Sequence, residues 1–141
     1  MQHGLILPGL LLLAAGGTDI RDDALTLFGA ALVAPGIAAH CEERVGPSGE
    51  LDRARGAWER RHEPLMRKVA AVVDSTGGMP ESARRKLSQD ATALVRREVE
   101  AAGGAADLCP KIPGAMDQGT FDLENMVEVR GALARVMLRG E

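Results

Sequence analysis

The stretch from Ala24 to Cys41 reads ALTLFGAALVAPGIAAHC, and it contains no formally charged residue. It ends in small residues and in the first of two cysteines. A run of this length is typical of a signal-peptide core, with small-residue cleavage sites at Gly36–Ile37–Ala38 or Ile37–Ala38–Ala39. We interpret it as an export segment joined to a helical domain that begins at Cys41.

The residues before this run leave two alternatives open. Met1–Thr18 is apolar, Asp19–Asp23 (DIRDD) is charged, and no basic region precedes either apolar piece. Residues 1–40 therefore form a segment that is cleaved, retained as a membrane anchor, or folded into the core. The core alternative is supported by apolar residues at helical spacing after a cap at Thr18 or Asp19, namely Ile20, Ala24, Leu27, Phe28, Ala31 and Leu32.

The composition predicts an all-α fold. The chain has 141 residues, of which 45% are hydrophobic, with one Trp, two Phe and no Tyr. A mixture rich in Ala, Leu, Arg and Glu favours helix. The lack of aromatic platforms argues against base-stacking nucleic-acid modules.

Residues 41–141 predict a bundle of three to four helices. Ser48 caps the first, Pro64 kinks or restarts it, and Thr76–Gly78 ends it. Pro80 begins the second, and Gly103–Gly104 ends it. An irregular loop over 105–119 precedes a last helix capped by Thr120, with these buried positions: Leu123, Met126, Val127, Leu133, Val136 and Met137.

Cys41 and Cys109 are predicted to form a structural disulfide in an oxidising compartment. The rival interpretation is a metal site that uses both cysteines with His40 and His62. The spacing matches no zinc finger, so no metal is predicted.

Charge is distributed unevenly along the chain. Residues 53–97 carry eleven Lys/Arg and five Asp/Glu, and residues 98–141 carry four and eight. The two regions either face each other in the fold or the basic one meets an anionic partner. Arg53, Arg60 and Arg67 recur every seven residues, which makes them the candidate anion-binding residues.

Trp58 is predicted to anchor the core, and His62 falls on the same apolar stripe. No Ser–His–Asp ordering, phosphate loop or zincin motif appears, so we name no catalytic residue and no cofactor.

The segment Trp58–Pro64 (WERRHEP), followed by Cys109 and by Gly119–Asp122 (GTFD), resembles uncharacterised small exported helical proteins of proteobacteria. The resemblance implies an envelope location and a disulfide, and it carries no activity.

We therefore predict a periplasmic or secreted, non-enzymatic binding or accessory module, whose partner is a protein or another envelope component. One alternative is a cytosolic all-α interaction protein that oligomerises, with residues 1–40 in its core. Another is an anion-binding protein. Membrane contact would involve residues 1–40.

Overall fold

The computed structural model describes residues 19–139, and within that range the chain is helical and contains no strand. The predicted all-α fold with one disulfide is confirmed. The α-helices are α1 (Ile20–Ala31), α2 (Val33–Val45), α3 (Gly49–Ser75), α4 (Glu81–Ala101), α5 (Ala105–Leu108), α6 (Ile112–Asp117) and α7 (Arg130–Leu138). Short 3₁₀ turns occupy Cys109–Lys111, Leu123–Asn125 and Val127–Val129.

Helices α1 and α2 contain the uncharged run Ala24–Cys41. The Asp19 side chain accepts a hydrogen bond from the Arg21 backbone N–H and caps α1, as predicted. The two helices are separated at Leu32. Pro35 explains this break, because its ring lacks an N–H and crowds the carbonyl of Ala31, four residues earlier.

Residues 20–40 lie in the core of the described fold. Eight of their apolar residues are buried, namely Ala24, Leu27, Ala30, Ala31, Val33, Ala34, Ile37 and Ala38. Ile20, Phe28 and Leu32, which were predicted on the same face, are half-buried. The predicted boundary between residues 40 and 41 therefore falls inside α2. The first apolar piece, Met1–Thr18, lies outside the described residues.

Polar contacts also fix α1 to the rest of the bundle. The Arg21 guanidinium donates to the Thr76 carbonyl at 3.0 Å, at the end of α3. Asp23 is 3% exposed and accepts two hydrogen bonds from Arg135 of α7, at 2.7 and 3.0 Å. Within the described range, only Ile20–Val45 is long and apolar enough to cross a membrane, but more than half of its apolar 18-residue stretch is buried by the protein itself. Core helices of soluble proteins and signal sequences have the same composition.

Helix α3 is the longest element and contacts most of the others. Ser48 caps it by accepting the Leu51 N–H. Pro64 does not divide it, and Gly49–Ser75 is one helix. Pro64 and Arg60 are both exposed, so water can satisfy the Arg60 carbonyl that lacks a helical donor.

Helix α4 packs against α2 at a close crossing. A Cβ atom placed on Gly36 would lie 3.2 Å from a Val95 methyl group. The missing side chain at Gly36 therefore allows the two helices to approach. Helix α4 buries Ala91, Leu94, Val95 and Val99.

The prediction for the last helix is partly wrong. Helix α7 begins only at Arg130, after an extended Met126 and the 3₁₀ turn Val127–Val129. The Thr120 N–H donates to the Ala115 carbonyl and so ends α6 instead of capping a new helix. As a result Val127 is 71% exposed and Met137 is 50% exposed, although both were predicted to be buried.

Candidate functional site

The Cys41–Cys109 disulfide is present and buried. Its Cα atoms are 5.6 Å apart, and 68 residues separate the two cysteines in sequence. Cys41 belongs to α2, and Cys109 opens the 3₁₀ turn before α6. On the chain-entropy model, closing a loop of this size stabilises the fold by roughly 4 kcal/mol. The bridge joins α2 to the start of the irregular segment 109–129.

Trp58 lies in the core as predicted, 3% exposed. Its indole N–H donates to the Phe121 carbonyl at 2.9 Å. This bond satisfies the polar edge of the ring and holds the backbone of the irregular segment against α3.

His62 stacks on Trp58 one helical turn later, with the ring centroids 4.0 Å apart. Its Nδ1 lies 2.8 Å from the Trp58 carbonyl, and its Nε2 accepts the Leu123 N–H at 3.1 Å. Because Nε2 is an acceptor, the ring is neutral and its proton is on Nδ1. Both ring nitrogens are thus engaged by backbone groups, and His62 is a packing residue in this state.

Arg61 links α3 to the irregular segment through three hydrogen bonds. Its guanidinium donates to both Asp122 carboxylate oxygens, at 2.9 and 3.2 Å, and to the Met116 carbonyl at 2.9 Å. The hydrogen bond to Asp122 raises the pKa of the Arg61 guanidinium, while partial burial opposes it. This pair was not predicted from the sequence, and 61 residues separate its members.

The three candidate anion-binding arginines have different surroundings. Arg53 donates to both oxygens of Asp117, at 2.7 and 3.3 Å, and Arg67 donates to Glu63 at 3.0 Å. Arg60 is exposed and has no ion pair within residues 19–139. Two of the three guanidinium groups are therefore bonded to carboxylates, and anion binding by this stripe stays a prediction.

The rival metal ligands are not assembled. Both sulfur atoms are used in the disulfide, and His62 is held at Leu123. His40 lines a separate depression of about 390 Å³ between α2 and α4, with Ser88 and Arg96. In the described part of the chain, no group of three or more His, Cys, Asp or Glu side chains is placed to hold a metal ion.

A groove of about 460 Å³ lies beside the Arg61–Asp122 pair. Its apolar lining comes from α3 and α7, and its polar lining from α3 and the irregular segment. The lining residues are Arg61, His62, Leu65, Asp122, Glu124, Leu133 and Met137. A lining that combines apolar and charged side chains is compatible with a protein-binding surface.

The chain matches no protein-family model, no curated protein and no solved structure. The resemblance to exported proteobacterial proteins therefore stays a prediction.

Proposed function

We propose that this chain is an exported, non-enzymatic binding or accessory module of the cell envelope, closed by its disulfide. The observation that carries the proposal is the buried Cys41–Cys109 bridge, which is 0% and 6% exposed at its two residues. Structural disulfides persist in oxidising compartments and are rare in the cytosol.

The proposal assigns the export segment to residues 1–18 instead of residues 24–39. Cleavage near Ala39 would remove α1 and half of α2, with their buried apolar residues and the Asp23–Arg135 pair. Cleavage before Asp19 would leave every described contact in place. The apolar run in Met1–Thr18 supplies the hydrophobic core that an export signal needs.

Mass spectrometry of the protein purified from its native host tests this assignment. We expect a mature chain that begins near Asp19 and lacks two hydrogens at the cysteines. The second candidate function, a cytosolic oligomerising protein, is favoured by the burial of residues 20–40. An intact chain with both thiols reduced in the cytosolic fraction would select it and refute export.

The groove beside Arg61–Asp122 is the proposed binding surface. Among the described residues, the exposed large hydrophobic side chains are Val45, Val127, Met137 and Leu138, and the last three belong to the segment 127–138. Met137 lines the groove with Leu65 and Leu133. Glu124, also in the lining, has no ion pair within residues 19–139. We therefore propose a protein partner that inserts an apolar side chain next to a Lys or Arg.

Site-specific photo-crosslinking in the native host tests the surface. A photoreactive amino acid is placed at position 137 or, as the control, at position 45, because Met137 and Val45 are 50% and 52% exposed. We expect one discrete crosslinked protein from position 137 only, and we expect Glu124→Lys to weaken that product. Equal products from both positions, or none from position 137, would refute the binding role of the groove.

A further inference from the structure

His62 is a buried titratable group whose function the binding proposal leaves unexplained. Its residue is 6% exposed, and its ring accepts a backbone N–H from the irregular segment through Nε2. A helix such as α3 needs no histidine for its own stability, since it satisfies its backbone internally. The imidazole therefore acts on the segment, where it supplies the acceptor for the Leu123 N–H.

Protonation of the ring and the Leu123 hydrogen bond exclude each other. A charged imidazole is a donor at both nitrogens and has no acceptor left. The Nε2 proton would then point at the Leu123 N–H from about the same distance, 3.1 Å. The Nδ1 bond to the Trp58 carbonyl would survive, because it needs a proton in either state.

The charged groups that line the groove beside the ring are Arg61, Asp122 and Glu124. Arg61 and Asp122 are bonded to each other, and Glu124 is exposed. Helix α7 contributes only Leu133 and Met137 to this lining, and neither titrates. The Leu123 N–H donates to His62 and not to either of the neighbouring carboxylates.

We propose that His62 is an acid-sensitive latch for the 3₁₀ turn Leu123–Asn125. While the imidazole is neutral, the turn is held against α3 and places Asp122 and Glu124 at the groove. When the imidazole is protonated, the turn is released and the groove loses its acidic edge. The regulatory meaning of the latch rests on the proposed function, whereas the latch itself is a property of the isolated protein.

Amide hydrogen exchange of the purified, oxidised protein tests the latch directly. We expect the protection of the Leu123 amide, corrected for intrinsic exchange, to fall by up to about tenfold per pH unit as the solution is acidified. The series runs from about pH 8 to pH 5. Amides in the centre of α4 serve as the internal control and should stay protected. Unchanged protection at Leu123, or simultaneous loss in α4, would overturn the proposal.

The tryptophan provides a second readout, because Trp58 is the only one in the sequence and stacks on His62. A charged imidazole quenches indole emission more strongly than a neutral one, so we expect emission to titrate over the same range. His62→Gln should abolish this titration, and His40→Gln, the matched control, should leave it intact. A titration that persists in His62→Gln would contradict the latch. Hydrogen exchange on the unmodified chain decides the question if that variant does not fold.

The two proposals can fail separately. Loss of the crosslink at position 137 with a pH-dependent Leu123 amide would refute the binding role and leave the latch. If the crosslink is equally strong at about pH 8 and pH 5 and the protection of the Leu123 amide does not depend on pH, the latch is refuted and the binding role is left.

Discussion

The helix pair α1–α2 and the irregular segment 109–129 are both packed into the core, but they are held in different ways. The helix pair satisfies its backbone internally and is held mainly by apolar burial, with Leu27, Val33 and Ile37 fully buried. The irregular segment leaves backbone groups without local partners. It obtains them from α3, where the Trp58 indole donates to the Phe121 carbonyl and His62 accepts the Leu123 N–H.

Polar side chains become structural where a buried backbone lacks local hydrogen-bond partners. Buried backbone groups must be paired, and a helix does this without help from distant residues. A segment of short turns depends on donors and acceptors from elsewhere in the fold. The disulfide connects the two regions, because Cys41 belongs to α2 and Cys109 opens the irregular segment.

Removal of the helix pair should have the largest effect. We expect a chain that begins at Cys41 to lose cooperative unfolding, since it lacks α1 and the first eight residues of α2. A chain that begins at Asp19 is the control and should unfold in a single transition. Far-UV circular dichroism during thermal unfolding measures both. If the shorter chain folds equally well, residues 20–40 are dispensable for folding and the helix pair is not an essential part of the core.

Removal of the Cys41–Cys109 disulfide should have the second-largest effect on stability. We expect the Cys41→Ala/Cys109→Ala variant to lose roughly 4 kcal/mol of unfolding free energy, because an open chain has more entropy to lose on folding. Urea unfolding under non-reducing conditions measures this. The unmodified chain with a reductant should lose a similar amount. Equal stability with and without the bridge would show that the packing of the two regions holds them together alone.

The same difference explains what the sequence could predict. The apolar spacing of Ala24, Leu27 and Ala31 is local information, and it predicted a buried helix as one of three alternatives. The caps at Asp19 and Ser48 are local too, and both were confirmed. The sequence pattern could not show whether this helix is cleaved off or packed in the core. That depends on distant contacts such as the Asp23–Arg135 pair, whose members are 112 residues apart.

The candidate groove could be predicted only in part. Trp58 and His62 were placed on the apolar stripe of α3 from their spacing, and both are buried there. Their partners at Phe121 and Leu123 are backbone groups, which carry no signature in the residue type. The uneven charge along the chain left two alternatives, one of which was that the basic and acidic regions face each other. Two pairs do so, Arg53–Asp117 and Arg61–Asp122, but the sequence did not show which residues would pair.

The smallest effect should come from the exposed pair that holds the irregular segment, Arg53–Asp117. Its hydrogen bonds hold the pKa of the Asp117 carboxyl below its usual range. The stabilisation is therefore present above the ordinary carboxyl range and is lost as the pH falls through the lowered value. We expect Asp117→Asn to reduce the loss of unfolding free energy at acid pH, measured by urea unfolding at a series of pH values. Added salt should reduce the difference between the variant and the unmodified chain.

Glu98 is the control carboxylate, because its pKa is shifted in the opposite direction from that of Asp117. Desolvation by burial raises the pKa of Glu98, and Arg97 opposes this. The folded state therefore binds a proton there more tightly than the unfolded state does, so this group adds stability as the pH falls. We expect Glu98→Gln to increase stability slightly at neutral pH and to remove that acid gain. If both variants changed the acid limb in the same direction, global charge would explain the effect, and the Arg53–Asp117 pair would have no measurable role in holding the irregular segment.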